Sequence, residues 1–304
     1  MGTTWSVVIA DEVPNPKAAE AAIKEALDRV DQLMSNWKDD SEVCRFNRLP
    51  AGETLALSEE TAYVIQTAFQ IYEETDGRFD PTLGPLIELW GFSRKEKQAF
   101  PQDDAIASAR SQMGMADIRL ENQSIQKSRD GISLNLSAIA KGYGVDAAFE
   151  SLRALGFMNY LVEVGGEVRV AGSKPGPTPW RVGIETPKYG LSIQRDLFSV
   201  AQLKDVAMAT SGDYRNYFEY EGKNYSHIID PGTGYPVASP IASATVIAPN
   251  CTLADAFATA FMILSPQRSI EICNANPNLD CLIIERSSSK VFQSDTMNRY
   301  LVKP

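Results

Sequence analysis

Apolar residues recur at helical spacing in the first part of the chain and at strand spacing through much of the rest. Ile23, Leu27, Val30 and Met34 follow at intervals of four, three and four, which predicts a helix over 16–34 with that face buried. A second helix is predicted over 58–75, with Ser58 as N-cap, Gly77 just past its end, and Ala62, Ile65, Phe69 and Tyr72 as its core face. Further helices are predicted over 103–113, closed by Gly114, and over 138–155, closed by Gly156. Strand patterns occur at WSVVIA from Trp5, at 118–120 and at 132–136. YLVEVGGEVRVAG from Tyr160 alternates around Gly165-Gly166 and predicts a hairpin or bent strand. WRVGIET from Trp180, VAMATSG from Val206 and ASATVIAP from Ala242 continue the sheet; a helix over 252–264, a further helix and the strand CLIIER complete it. Strands outnumber helices and the helices come in separated groups. The expectation is α+β: one compact domain over 1–304 with a single continuous, mixed and largely antiparallel sheet flanked by helices.

Composition narrows the function. With 304 residues, 44% of them hydrophobic, the chain can build a large core. A net charge of −10 argues against a nucleic-acid surface, which needs clustered Lys and Arg. The four cysteines, Cys44, Cys251, Cys273 and Cys281, form no C-x-x-C pair; buried free thiols are the default reading, with a disulfide left open. No apolar run reaches membrane-spanning length, so no membrane contact is expected from this chain itself, and no signal peptide is visible.

The chemistry concentrates in a few segments. His227 is the only histidine, which excludes two-histidine metal sites. It stands in YSHIIDPGTGYPV, where Ile228 and Ile229 read as the end of a buried strand and Asp230 to Gly234 as a tight turn. The bland alternative is a turn histidine satisfied by a carbonyl. In the almost wholly apolar TLADAFATAFMIL, Asp255 and Thr259 are four apart and share a face. They suit a hard cation such as Mg²⁺; a variant capping box, with Thr252 as N-cap and Asp255 at the third helical position, explains Asp255 but not Thr259. NLSAIAKGYGVDAA from Asn135 opens a helix with Ser137 as candidate cap and Lys141 in the first turn, a setting that suits phosphate. Its Gly142-Tyr143-Gly144 imitates a dinucleotide fingerprint, but the glycines fall inside the helix rather than at its entry. In TSGDYRNYFEYEG, Arg215 could meet an anion, or the segment is an edge strand. Asp76 to Phe92 is a rigid, irregular stretch around Asp80-Pro81 and Gly84-Pro85, and Trp37 is either a surface aromatic or a ring-stacking platform.

In order along the chain, Met1-Gly2-Thr3, Ser35 to Asn47, Phe79-Asp80-Pro81-Thr82-Leu83-Gly84-Pro85, Ala140-Lys141-Gly142-Tyr143, Val164-Gly165-Gly166-Glu167, Ser211-Gly212-Asp213-Tyr214-Arg215, His227-Ile228-Ile229-Asp230-Pro231 and Ala254-Asp255 with Thr259 resemble the ApbE-like family, the FAD:protein FMN transferases. The resemblance implies Mg²⁺-dependent transfer of FMN from FAD to a Ser or Thr of an acceptor flavoprotein, with release of AMP. It implies a metal held by Asp255, Thr259 and the main-chain oxygen of Ala138. It also implies flavin or diphosphate contacts from Met1, Trp37, Arg78, Phe79, Asp80, Asn135, Lys141 and the Ile229 backbone, with His227 activating the acceptor hydroxyl. This chain has Ser226 where many relatives carry a second histidine, Asn135 where many carry Asp, and Trp37 where many carry Tyr. Relatives are exported, so the resemblance implies the periplasmic side of the inner membrane, with an export signal and lipid anchor upstream of this sequence. Two alternatives stay open: an FAD pyrophosphatase giving FMN and AMP, and a non-catalytic FAD-binding protein.

Overall fold

The computed structural model of the chain describes residues 2–92, 100–187, 196–213, 217–220, 223–238, 240–286 and 290–302. In chain order its elements are β1 (Trp5–Ile9), α1 (Pro16–Met34), α2 (Glu42–Arg48), β2 (Thr54–Ala56), α3 (Glu59–Glu74), α4 (Gly84–Leu89), α5 (Asp103–Ser111), β3 (Ile118–Glu121), β4 (Ser124–Lys127) and α6 (Ala140–Ala154). Next come β5 (Tyr160–Val164), β6 (Glu167–Ala171), β7 (Trp180–Glu185), β8 (Leu197–Leu203), β9 (Ala207–Gly212), β10 (Tyr217–Tyr220), β11 (Lys223–Ser226) and β12 (Ile241–Ala248). The last are α7 (Cys251–Phe261), α8 (Pro266–Ala275), β13 (Asp280–Glu285), β14 (Val291–Gln293) and β15 (Leu301–Val302). They group into two compact units, one of Met1–Arg29, Lys141–Arg215 and Ser239–Pro304, the other of Val30–Ala140 and Asn216–Ala238.

The first unit is built on a seven-stranded sheet of order β1-β5-β6-β9-β12-β13-β14, antiparallel at each described pairing. Strand alternation decides what covers each face. Tyr160, Val162 and Val164 of β5 point to one side, where Ile23 and Leu27 of α1 and Val145, Phe149 and Leu152 of α6 meet them. Leu161, Val168, Val170 and Met208 point to the other side, against Trp180, Ile184, Ala201 and Leu203 of the smaller sheet β15-β8-β7. Covered on both faces, β12 is buried along its whole length. α7 lies on β9 and β12, which is why its sequence is apolar nearly all round.

The second unit holds α2 to α5, the sheet β2-β4-β3 and the hairpin β10-β11. Ser58 caps α3 by accepting the Thr61 N–H, as its sequence predicts. The buried stripe of α3 is rotated from the expected one: Val64, Ile65, Ala68 and Ile71 are buried, and Phe69 and Tyr72 are half-buried.

Three expectations are corrected. In place of a single mixed sheet, the described residues form four sheets, all antiparallel at the described pairings, and β7 lies in a separate sheet from β6 and β9. Residues 132–136 are not a strand. Ile132, Leu134 and Leu136 alternate into the core as a strand would, but the backbone of Leu134 bonds side chains instead of a neighbouring strand. Asn47 Oδ1 accepts the Leu134 N–H at 2.7 Å, and the Asn36 and Asn47 amides both donate to the Leu134 carbonyl at 2.9 Å. Finally, α7 starts at Cys251 and its N-cap is Asn250, whose side chain accepts the Leu253 N–H; Thr252 is not the cap.

Candidate active site

In the first unit the start of α6, the start of β6 and the middle of α7 converge on charged groups. Lys141, in the first turn of α6, places its Nζ 2.5 Å from Glu167 Oε1 and 3.7 Å from Asp255 Oδ1. Asp255 Oδ2 accepts the Gly142 N–H at 2.9 Å. Glycine is required there: a Cβ on residue 142 would sit 2.2 Å from the Cys251 carbonyl oxygen and 2.8 Å from Asp255 Cβ. Thr259, one turn beyond Asp255, shares a hydrogen bond of 3.2 Å with Ser211 at the end of β9. The capping reading of Asp255 fails, since Asn250 caps α7 and Asp255 closes the start of α6.

The electrostatics of this cluster leave room for a cation. Two carboxylates face one ammonium, so one negative charge is uncompensated. Burial, with the Asp255 charge next, pushes Glu167 up to about 7. Burial likewise raises Asp255, against the pull of Lys141. Burial alone would lower Lys141, but Asp255 and Glu167 hold it well above its usual range. Among the described residues, Glu167 Oε2 is the buried side-chain nitrogen or oxygen with no hydrogen-bond partner. No group of three or more His, Cys, Asp or Glu assembles among them. Two carboxylates and a hydroxyl are an all-oxygen set, which fits Mg²⁺ and does not suit zinc.

In the second unit, the Arg78–Asp80 segment, Asn135 and Ile229 come together. Arg78 donates to Asp230 Oδ1 at 2.6 Å, next to Ile229, whose bridge to Pro236 closes the turn. The Asp230 carbonyl accepts the N–H groups of Thr233 and Gly234, so the expected tight turn is present. Phe79 and Asp80 are buried. Asp80 Oδ1 accepts from Thr82 N and Oγ1 at 2.8 and 2.6 Å, and burial raises its carboxyl. The Asn135 N–H donates to the Pro81 carbonyl at 2.7 Å, and Asn135 Oδ1 accepts the Ser137 N–H at 3.0 Å. Ala138 is half-buried in the turn before α6. Trp37 is 76% exposed beside Asn36, which holds the Leu134 carbonyl, so it is not a packed aromatic. His227 is exposed in the bend after β11, between buried Ser226 and Ile228. Met1, Tyr214 and Arg215 lie outside the described residues.

A model of the ApbE family matches residues 1–283. The chain belongs to the ApbE family. It is 35% identical to a FAD:protein FMN transferase of Vibrio cholerae, covering 100% of this chain and 91% of that one. It is 36% identical to a FAD:protein FMN transferase of Haemophilus influenzae, covering 100% and 90%. Among solved structures, the flavin transferase ApbE from Vibrio cholerae superposes with a TM-score of 0.89 at 33% identity, covering 99% and 96% of the two chains. The ApbE protein from Thermotoga maritima gives 0.88 at 34% identity, covering 99% and 97%. The α+β fold with antiparallel sheets is thus the ApbE fold. Within it, sequence reasoning gave no role to Glu167, Asn36, Asn47 or Asp146. A carboxylate opening a buried strand, and asparagines at the edges of polar turns, were the available signals.

Proposed function

We propose that this chain is a FAD:protein FMN transferase that moves the FMN half of FAD onto a Ser or Thr hydroxyl of an acceptor flavoprotein and releases AMP, using Mg²⁺. The observation that carries the reading is the pair of buried carboxylates, Glu167 and Asp255, facing the single ammonium of Lys141, with one Glu167 oxygen left unpartnered, in a chain of the ApbE family. Asp255 and Thr259 would hold the metal. When bound, Mg²⁺ neutralises charge on the diphosphate of FAD.

The remaining steps belong to the chain's own side chains. His227, the only imidazole and exposed to solvent, accepts the proton of the acceptor hydroxyl as that oxygen attacks the FMN phosphorus. A phosphoester P–O bond forms, the P–O bond to the AMP phosphate breaks, and AMP leaves with the bonding pair. Lys141 holds the Asp255 and Glu167 carboxylates in place and opposes the upward pull of burial on both. Trp37 offers its exposed ring to the flavin. Arg78, Phe79, Asp80, Asn135 and the Ile229 backbone hold flavin or diphosphate in the second unit.

The test incubates the chain with FAD, Mg²⁺ and an acceptor flavoprotein bearing an exposed Thr, with and without a chelator. AMP release together with FMN on the acceptor, both lost on chelation, supports the reading. AMP with an equal amount of free FMN and an unlabelled acceptor favours the pyrophosphatase. FAD bound without any AMP favours a binding protein.

A further inference from the structure

The first-turn N–H groups of a helix have no partner within the helix. In the first unit, two helices solve this for each other. On α6, the Gly142 N–H donates to Asp255 of α7 at 2.9 Å. On α7, the Cys251 N–H donates to Asp146 Oδ1 of α6 at 2.9 Å, and Thr252 N and Oγ1 donate to Asp146 Oδ2 at 2.8 and 2.6 Å. Each helix supplies the carboxylate that closes the start of the other. Arg169 on β6 adds a third anchor: its guanidinium lies 3.0 Å from Asp146 Oδ1 and is stacked over the Phe149 ring at 4.0 Å.

Asp146 is 7% exposed, and each of its oxygens already has two donors, so it has no capacity left for a ligand. It can act only through α7. Its contacts fix Cys251 and Thr252, one turn before Asp255, while Gly142 lets the helices approach until Cys251 O and Asp255 press on the α6 backbone. We propose that Asp146, braced by Arg169, is a positioning residue that sets the rotation and depth of α7 so that Asp255 and Thr259 present their oxygens to the divalent cation. This rests on the metal assignment of the proposed function.

The experiment compares the full chain with Asp146→Asn, Thr252→Val and Arg169→Met. Mn²⁺ uptake in the presence of FAD is read by electron paramagnetic resonance, the half-saturating Mg²⁺ for AMP release is measured, and thermal unfolding is recorded. In Asp146→Asn the amide must turn a donor toward N–H groups, so Mn²⁺ binding is expected to weaken about 10- to 100-fold, with the half-saturating Mg²⁺ moving by the same factor. Thr252→Val and Arg169→Met shift both in the same direction by less, and they decide the matter if Asp146→Asn does not fold. Variants that melt earlier yet take up Mn²⁺ as the parent does would make Asp146 purely structural and overturn the proposal. A parent chain with no Mn²⁺ uptake would instead overturn the metal assignment itself, and the positioning role with it.

Discussion

Burying Asp255 on an apolar helix costs free energy that only partners return. Two partners are visible, the Gly142 N–H at 2.9 Å and the Lys141 ammonium at 3.7 Å, and the neighbouring Glu167 keeps one oxygen without any. That imbalance is the residue-scale basis of the metal assignment. Asp255→Asn, which keeps the size and removes the charge, is expected to cut Mg²⁺-dependent AMP release at least about a hundredfold, near 2.7 kcal/mol of barrier. Steady-state AMP assays across a Mg²⁺ titration check this, and near-parental rates would remove Asp255 from the metal site. His227→Ala is expected to slow FMN transfer by about 10² to 10⁴, the usual worth of a general base, while FAD binding measured by fluorescence stays within a few-fold. Both residues stand out in the sequence, one as the sole imidazole and the other as a lone carboxylate in an apolar helix. Glu167 was not, because its meaning lies in Lys141, 26 residues earlier and brought close only by the fold.

Elements were read well where a single segment carries its own signal. α1 runs over Pro16–Met34 as its spacing predicts, and α3 takes Ser58 as its cap. A local pattern misleads where the partner of a backbone group is a distant side chain. The alternation of 132–136 looks like a strand, yet Asn36 and Asn47 occupy the polar groups of Leu134. Lys127 extends the same scheme: buried at 2% exposure, its ammonium donates to the carbonyls of Phe46, Asn47 and Ile132 at 3.3, 3.0 and 2.9 Å. Lys127→Met strands those carbonyls and is expected to cost about 3 kcal/mol of stability. Burial lowers the Lys127 pKa, so above that lowered value the folded chain holds fewer protons here than the unfolded chain. Stability from this group therefore rises with pH up to about 10.4, and the gap between parent and Lys127→Met should widen over that range in denaturant titrations. A gap that narrows would contradict the burial argument. Gly142→Ala, with its Cβ driven against Cys251 O, is expected to cost about 1–3 kcal/mol, read as a lowered melting temperature.

At the scale of the whole molecule, the class was legible and the sheet was not. Counting strands against helices indicates α+β, but nothing in the local pattern of β7 says that it pairs with β8 in a small sheet instead of extending the larger one. Sheet membership is set by which faces must be covered, and that depends on segments far apart in sequence. The ordered family motifs carried more information, because each is a short stretch whose chemistry does not depend on topology. They occur in segments of both compact units, and the family match over residues 1–283 runs through both. The excess of acidic residues, net −10, is compatible with an anionic substrate only if positive charge is supplied locally, by Lys141 and a divalent ion. The most direct measurement is therefore the intact mass of an acceptor flavoprotein after incubation with this chain, FAD and Mg²⁺, beside reactions with chelator and with Asp255→Asn. The account predicts an added FMN phosphoester on one Ser or Thr, matched by AMP, and absent from both controls. An acceptor labelled equally well in chelator, or by Asp255→Asn, would contradict it.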